Sequence, residues 1–261
     1  MNEKKNKKAV LLFELAKNDI KSKYANSFLG IIWAFIMPLI TVFVFWYVFQ
    51  MGFKNPPVAN APYILWFAAA YIPWIFFTDV LTSGCNCFVE YSYLVKKIKF
   101  RIGVLPAVKL VSALFVHLFF IAFLFGMMLF YKFPLSIYNV QAIYYTIALS
   151  VFTLGLVYLL SSFTVFFKDM ISIVNVIVQI GFWITPIMWN EATMLDDSVR
   201  KVLTINPIHY IVTGYRDSFI DHVWFWEHTN QTIYFWVLTA VIFAFGILAF
   251  KKLGSFFADE V

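Results

Sequence analysis

Asp79 is the one carboxylate set deep in an apolar stretch of this chain, and it is followed by Thr82, Ser83 and Asn86. An acidic side chain in a membrane is costly and is by default a functional hypothesis, such as a proton or ion relay. No second carboxylate or basic partner at similar depth is evident in the sequence, and the polar neighbours point equally to a cavity or to the inner interface. Ser172, Asn175 and Gln179 recur at i, i+3 and i+7, and the same face continues to Phe182, Trp183 and Pro186. Amides mixed with aromatic rings suit a sugar, which offers both hydroxyls and apolar C–H faces. Hydrogen bonding between helices accounts for the same polar residues and carries comparable weight. His117 reads as a hydrogen-bonded packing residue. Cys85 and Cys87 read as packing residues too, because a metal site built on two thiols lacks further ligands.

The chain contains no G-x-x-x-x-G-K-[ST], H-E-x-x-H, G-x-S-x-G or G-x-G-x-x-G motif. Catalytic residues, a metal and a cofactor held by this chain are therefore not expected. The segment from Tyr93 to Pro106 has a different character, since Lys96, Lys97, Lys99 and Arg101 interleave with apolar residues. A short helix over 94–106 is predicted to dock in a groove of another protein, with Leu94, Val95, Ile98 and Phe100 as anchors. The bland alternative is a solvated basic loop.

The elements that hold these residues are legible from charge alone. Tyr24–Phe53, Asn55–Thr78, Leu110–Tyr131, Phe133–Phe167, Met170–Asn190 and His228–Phe250 contain no Asp, Glu, Lys or Arg. Each reaches the ~20 residues that a helix needs to cross a bilayer core, and backbone polar groups there must pair within their own segment. The prediction is an all-α membrane protein forming one transmembrane domain over 1–261, with spans near 28–50, 62–84, 107–131, 140–166, 171–189 and 232–250. A composition of 62% hydrophobic and 13% charged residues agrees with that class. The lysines before the first span resemble a signal peptide, but the apolar run is about twice the usual length and lacks a small-residue cleavage site, so a retained helix is expected.

Before the first span, Leu12, Leu15, Ala16, Ile20 and Tyr24 recur at helical spacing opposite Glu14, Lys17, Asn18 and Lys21. This predicts an amphipathic interfacial helix over 9–26. The outer stretch 191–227 is predicted to hold two short helices at, or dipping into, the outer leaflet. Asp196 caps the first, and Asn206-Pro207 opens the second, over Pro207–Ile220.

The net charge of +6 raises the question of nucleic acid, but the charges follow membrane sidedness instead. Lysines crowd before the first span, between spans two and three, and after span six. Only Lys54, Lys132, Arg200, Lys201 and Arg216 fall on the alternate side. The positive-inside rule puts both termini and the 85–109 loop in the cytoplasm, and no nucleic-acid partner is expected.

Several motifs recur together: Asp19-Ile-Lys-Ser-Lys-Tyr-Ala-Asn-Ser-Phe-Leu-Gly-Ile-Ile-Trp33 with Pro38, Tyr71-Ile-Pro-Trp-Ile-Phe-Phe77, and Leu94-Val-Lys-Lys97 with Leu105-Pro106. Phe167-Lys-Asp169, Thr185-Pro-Ile187, Asn206-Pro207 with Tyr215-Arg216, and Phe257-Ala-Asp259 continue the series in order. In this order and spacing the chain resembles the permease subunits of type-2 ABC exporters for polysaccharides, including O-antigen and teichoic-acid exporters. The resemblance implies a homodimer joined to two copies of a separate cytoplasmic ATPase that binds ATP and Mg, in a bacterial plasma membrane, exporting a lipid-linked glycan.

By the same resemblance, Leu94, Val95, Lys96, Lys97, Ile98, Phe100 and Arg101 couple to the ATPase. Trp33, Tyr47, Asn175, Gln179, Phe182 and Trp183 line the path, and Asn206, Pro207, Tyr215 and Arg216 belong to an outer gate. A drug or peptide exporter of similar architecture, a proton-coupled carrier using Asp79, and a non-transporting scaffold are the rival readings.

Overall fold

The computed structural model describes residues 2–25, 27–54, 56–97 and 101–260, with side chains from Val10 onward. Helices dominate. Helix α1 (Asn2–Lys23) leads to a continuous helical stretch Gly30–Gly52, made of a 3-10 turn, α2 (Trp33–Phe45) and a π-helical end at Trp46–Gly52. Then come α3 (Tyr63–Cys85) and two short helices, α4 (Cys87–Glu90) and α5 (Ser92–Val95). Next are α6 (Leu105–Phe130), opened by a 3-10 turn at Ile102–Val104, and α7 (Gln141–Thr164), opened by another at Ile137–Val140. Helix α8 (Met170–Ile184) precedes three short helices, α9 (Glu191–Met194), α10 (Asp197–Leu203) and α11 (Pro207–Arg216), the last continued by a π-helical turn to Asp221. Helix α12 (Thr229–Leu253) and a terminal turn α13 (Phe257–Glu260) complete the chain.

Among the described residues, five stretches are long and apolar enough to cross a membrane: Gly30–Gly52, Tyr63–Cys85, Ile102–Phe130, Ile137–Thr164 and Thr229–Leu253. The predicted span 171–189 is helical only in its first part. Helix α8 has 15 residues, or about 22 Å at the α-helical rise, which is short of a ~30 Å bilayer core. Its end has a local cause. Thr185 precedes Pro186 and takes an extended conformation, φ −72° and ψ 131°, because the proline ring disfavours the helical region for the residue before it. The segment Thr185–Met188 is buried, as irregular backbone at membrane depth must be.

Helix α3 is the hub, packed by α6, α7, α8 and α11. Leu65, Phe67, Ala68, Ala69, Ala70 and Val80 are all closed to solvent, and the helix has no charged residue before Asp79, as expected of a core element. The first span is joined to it by stacked rings, Phe45 on Phe67 with centroids 4.6 Å apart and Phe49 on Tyr63 at 5.4 Å. Helices α7 and α12 approach so closely that a Cβ at Gly246 would fall 2.5 Å from the Gly155 carbonyl oxygen. Small residues permit this kind of backbone approach between membrane helices.

Candidate functional site

The end of the bundle that carries α1 is held by a buried polar cluster. Leu12, Leu15, Ala16, Asp19 and Ile20 form the covered stripe of α1, so a carboxylate sits among the packing residues. Asp19 is 3% exposed and Lys109, near the start of α6, is 2% exposed, with Nζ 2.6 Å from Asp19 Oδ1. Tyr91 donates its hydroxyl to Asp19 Oδ1 at 2.6 Å, Ser112 donates to Oδ2, and Lys109 also reaches Glu90 Oε2 at 2.8 Å. Burial pushes the Asp19 carboxyl up, but the Lys109 charge and the hydrogen bonds from Lys109, Ser112 and Tyr91 outweigh it and hold the group below its ordinary range. Three parts of the chain, α1, the α4–α5 loop and the base of α6, are thereby fixed to one another.

The 94–106 segment takes the form of short helical pieces: α5, and the 3-10 turn Ile102–Val104 that runs into α6. Ile98 and Phe100 lie outside the described residues. Val95 is buried and Leu94 partly buried against a small core of Cys87, Phe88, Tyr91 and Phe257. Tyr93, Lys96, Lys97 and Arg101 face outward. Cys85 and Cys87 are buried, and the Cys85 Sγ lies 3.0 Å from Thr164 Oγ1.

Asp79 does have a basic partner, and this corrects the reading that none was present. Lys23, from the last turn of α1, forms an ion pair with Asp79 Oδ1. The two residues are far apart in sequence, and only the packing of α1 beside α3 and α6 brings the ammonium to that depth. Burial lowers the Lys23 pKa, yet the Asp79 charge and hydrogen bond more than reverse this and raise it above its ordinary range.

Helix α8 sorts its predicted lining residues. Ser172, Asn175 and Gln179 are exposed, and Trp183 is 61% exposed. Phe182 departs from this face and packs inward, 6.0 Å from the Trp74 ring and 6.1 Å from that of Phe45. On the first span, Tyr47 is 62% exposed and Trp33 is partly covered.

The 191–227 segment holds three short helices, α9, α10 and α11, instead of two. Asn206 Oδ1 accepts the Ile208 N–H at 3.0 Å and Pro207 takes the first helical position. Asp196 occupies the cap position of α10 without a side-chain cap bond. Asn206 also donates to Thr185 Oγ1 at 2.9 Å, which ties α11 to the break after α8. Arg216 is buried, with its guanidinium carbon 3.4 Å from the Trp66 ring centroid and Nη2 donating to the Ile187 carbonyl at 2.8 Å.

Tyr215 is buried. Its hydroxyl lies 2.9 Å from His117 Nε2 and 2.6 Å from Thr146 Oγ1, so His117 is a hydrogen-bonded packing residue joining α6, α7 and α11. At the rim, His209 Nε2 lies 2.8 Å from Glu191 Oε2. Burial raises the Glu191 pKa, but the bond and charge of His209, helped by Arg200 and Arg216, hold it below its ordinary value.

This architecture can be set beside known proteins. The family profile described as "ABC-2 type transporter" matches residues 10–220. The chain belongs to the ABC-2 type transporter family. Among its relatives, the O-antigen export system permease protein RfbA of Myxococcus xanthus is 28% identical over 215 residues, covering 81% of each chain. Two proteins of that name from Klebsiella pneumoniae are 23% and 22% identical, each covering 95% of this chain and 94% of their own length.

In this ABC-2 permease the predicted residues gather in three places. Lys96, Lys97 and Arg101 share the α1 end; Tyr47, Asn175, Gln179 and Trp183 lie on uncovered helix faces; Asn206 and Pro207 open α11, and Tyr215 and Arg216 close it. Sequence reasoning missed Asp19, Lys109, Glu90 and Tyr91. The available signal was the position of Asp19 within the apolar stripe of α1.

Proposed function

We propose that this permease is the membrane half of an ATP-driven exporter that carries a lipid-linked cell-surface polysaccharide, of the O-antigen or teichoic-acid class, outward across a bacterial plasma membrane. One observation carries the reading: relatives named as O-antigen export permeases align with it over nearly their whole length. In this reading two copies of the chain form a homodimer, both termini are cytoplasmic, and two copies of a separate ABC ATPase bind ATP and Mg. The lack of a phosphate-binding loop in the sequence supports an external motor.

The exposed amides of α8 support the dimer. Asn175 and Gln179 stand among Ile173, Val176, Ile177 and Ile180, all uncovered. Polar side chains at membrane depth are expected to face protein or a water-filled path, not lipid. A second copy opposite α8 and the first span would enclose a path lined by Trp33, Tyr47, Asn175, Gln179 and Trp183, with the 191–227 segment as its outer gate. At the other end, Tyr93, Lys96, Lys97 and Arg101 form the outward surface for the ATPase, while Leu94 and Val95 hold that surface on the bundle.

The test is genetic and biochemical. In a cell that makes the glycan, deleting this chain is expected to strip it from the surface, and Lys96→Glu with Lys97→Glu is expected to do the same while the protein still inserts. Intact surface glycan after deletion would overturn the proposal. Loss of drug resistance with glycan intact would favour a drug exporter, and export that persists without any ATPase but stops in Asp79→Asn would favour a proton-coupled carrier.

A further inference from the structure

A cavity of about 600 Å³ opens beside α1, between the first span, α3 and α6. Its charged residues, Lys23 and Asp79, collect at one end with Tyr24 and Ser27. The rest of the wall is apolar apart from His117, whose ring bonds to Tyr215, and includes Met37, Ile75, Val116 and Phe120. Along α6 the lining runs from Ala113 to Phe120, so it extends about 10 Å along the helix, away from the α1 end. A pocket with charges at one end and an apolar shaft below fits an amphiphile whose head lies at the interface.

The charges select the head. Lys23 and Asp79 are paired with each other, and each is about one-third exposed at the pocket mouth, at 34% and 36%. The pair is formally neutral. A dianionic diphosphate arriving at Lys23 would face the Asp79 carboxylate at contact range, and like charges so close are mutually destabilising. A zwitterion has the matching pattern, with a phosphate for Lys23 and a cation for Asp79. A primary ammonium carries three N–H donors for the carboxylate, whereas a quaternary ammonium has none.

We infer that this cavity binds a zwitterionic bilayer phospholipid with a primary amine head, phosphatidylethanolamine, inserted between Lys23 and Asp79 with one acyl chain along the Val116–Phe120 wall. This site shares Trp33 with the path proposed for cargo, but its test does not depend on glycan export.

The full-length protein is placed in nanodiscs of equimolar phosphatidylethanolamine, phosphatidylcholine and phosphatidylglycerol, extracted gently, and its retained lipid counted by native mass spectrometry. Phosphatidylethanolamine is expected to be retained about tenfold or more over each of the others, the scale of one charge-assisted hydrogen bond. A photoreactive phosphatidylethanolamine is expected to label peptides containing Tyr24 or Asp79. Lys23→Gln with Asp79→Asn, which keeps shape and removes charge, is expected to abolish the preference. Equal retention of the three lipids, labelling elsewhere, or displacement by an equimolar polyprenyl diphosphate would overturn the assignment. Should the double variant fail to fold, the competition and labelling on the unaltered protein decide it.

Discussion

Lys109 Nζ sits 2.6 Å from Asp19 Oδ1, and both side chains are closed to solvent, so the first helix is tied to the base of α6 by a buried ion pair. Removing one partner strands the other charge in a site that water does not reach. Lys109→Ala is therefore expected to cost about 3–5 kcal/mol, and Lys109→Met combined with Asp19→Leu markedly less, because neither charge is then left unpaired. Denaturant unfolding in detergent distinguishes the two. Equal losses would show that the pair contributes through packing alone.

Gly214 gives a steric prediction. A Cβ there would stand 2.0 Å from the Tyr145 ring, and the ring is fully buried. Gly214→Ala is expected to destabilise by about 1–3 kcal/mol or more, as overpacking does. Adding Tyr145→Ala is expected to recover part of that loss, read as a positive coupling in a double-mutant cycle.

A smaller effect is expected at the neighbouring position. Tyr215→Phe removes the hydroxyl shared by His117 and Thr146 while keeping the ring. Hydrogen bonds between membrane helices average about 0.6 kcal/mol, with a maximum near 1.7, so the thermal midpoint should fall by less than in Gly214→Ala. A loss larger than that of Gly214→Ala would mean that the hydroxyl network, more than close packing, holds α11 in place.

The Glu191–His209 contact at the outer rim predicts a dependence on acid. The Glu191 pKa is depressed in the folded protein, so its contribution is complete above the unfolded value of 4.5 and is lost as pH falls through the lower folded value. Protection of the Glu191–Met194 amides, each rate referred to the intrinsic rate at its own pH, should therefore fall on acidification from pH 7 to pH 3, by roughly 1 kcal/mol for a part-exposed charged hydrogen bond. Glu191→Gln should show the lower protection already at pH 7 and respond little to acid. An unchanged acid response in that variant would assign the opening to another group.

Charge and composition alone made the apolar stretches, the covered residues Leu12, Leu15, Ala16 and Ile20 of α1 and the Asn206-Pro207 helix start readable in this chain, because each follows from local rules. An uncharged run has to satisfy its own backbone in lipid, and a cap followed by proline acts within a single turn. The end of α8 was written locally as well, since Thr185 precedes Pro186, but uncharged length spoke louder than the backbone limit on one residue.

Only the tertiary structure decided which partners the charges found. Lys23 reaches Asp79 and Asp19 reaches Lys109 because separate helices converge, and sequence distance carries no sign of that convergence. The same packing turned Phe182 inward and left Asn175 and Gln179 uncovered on one helix. Helical period fixes which residues share a face, while neighbouring elements choose what each face meets.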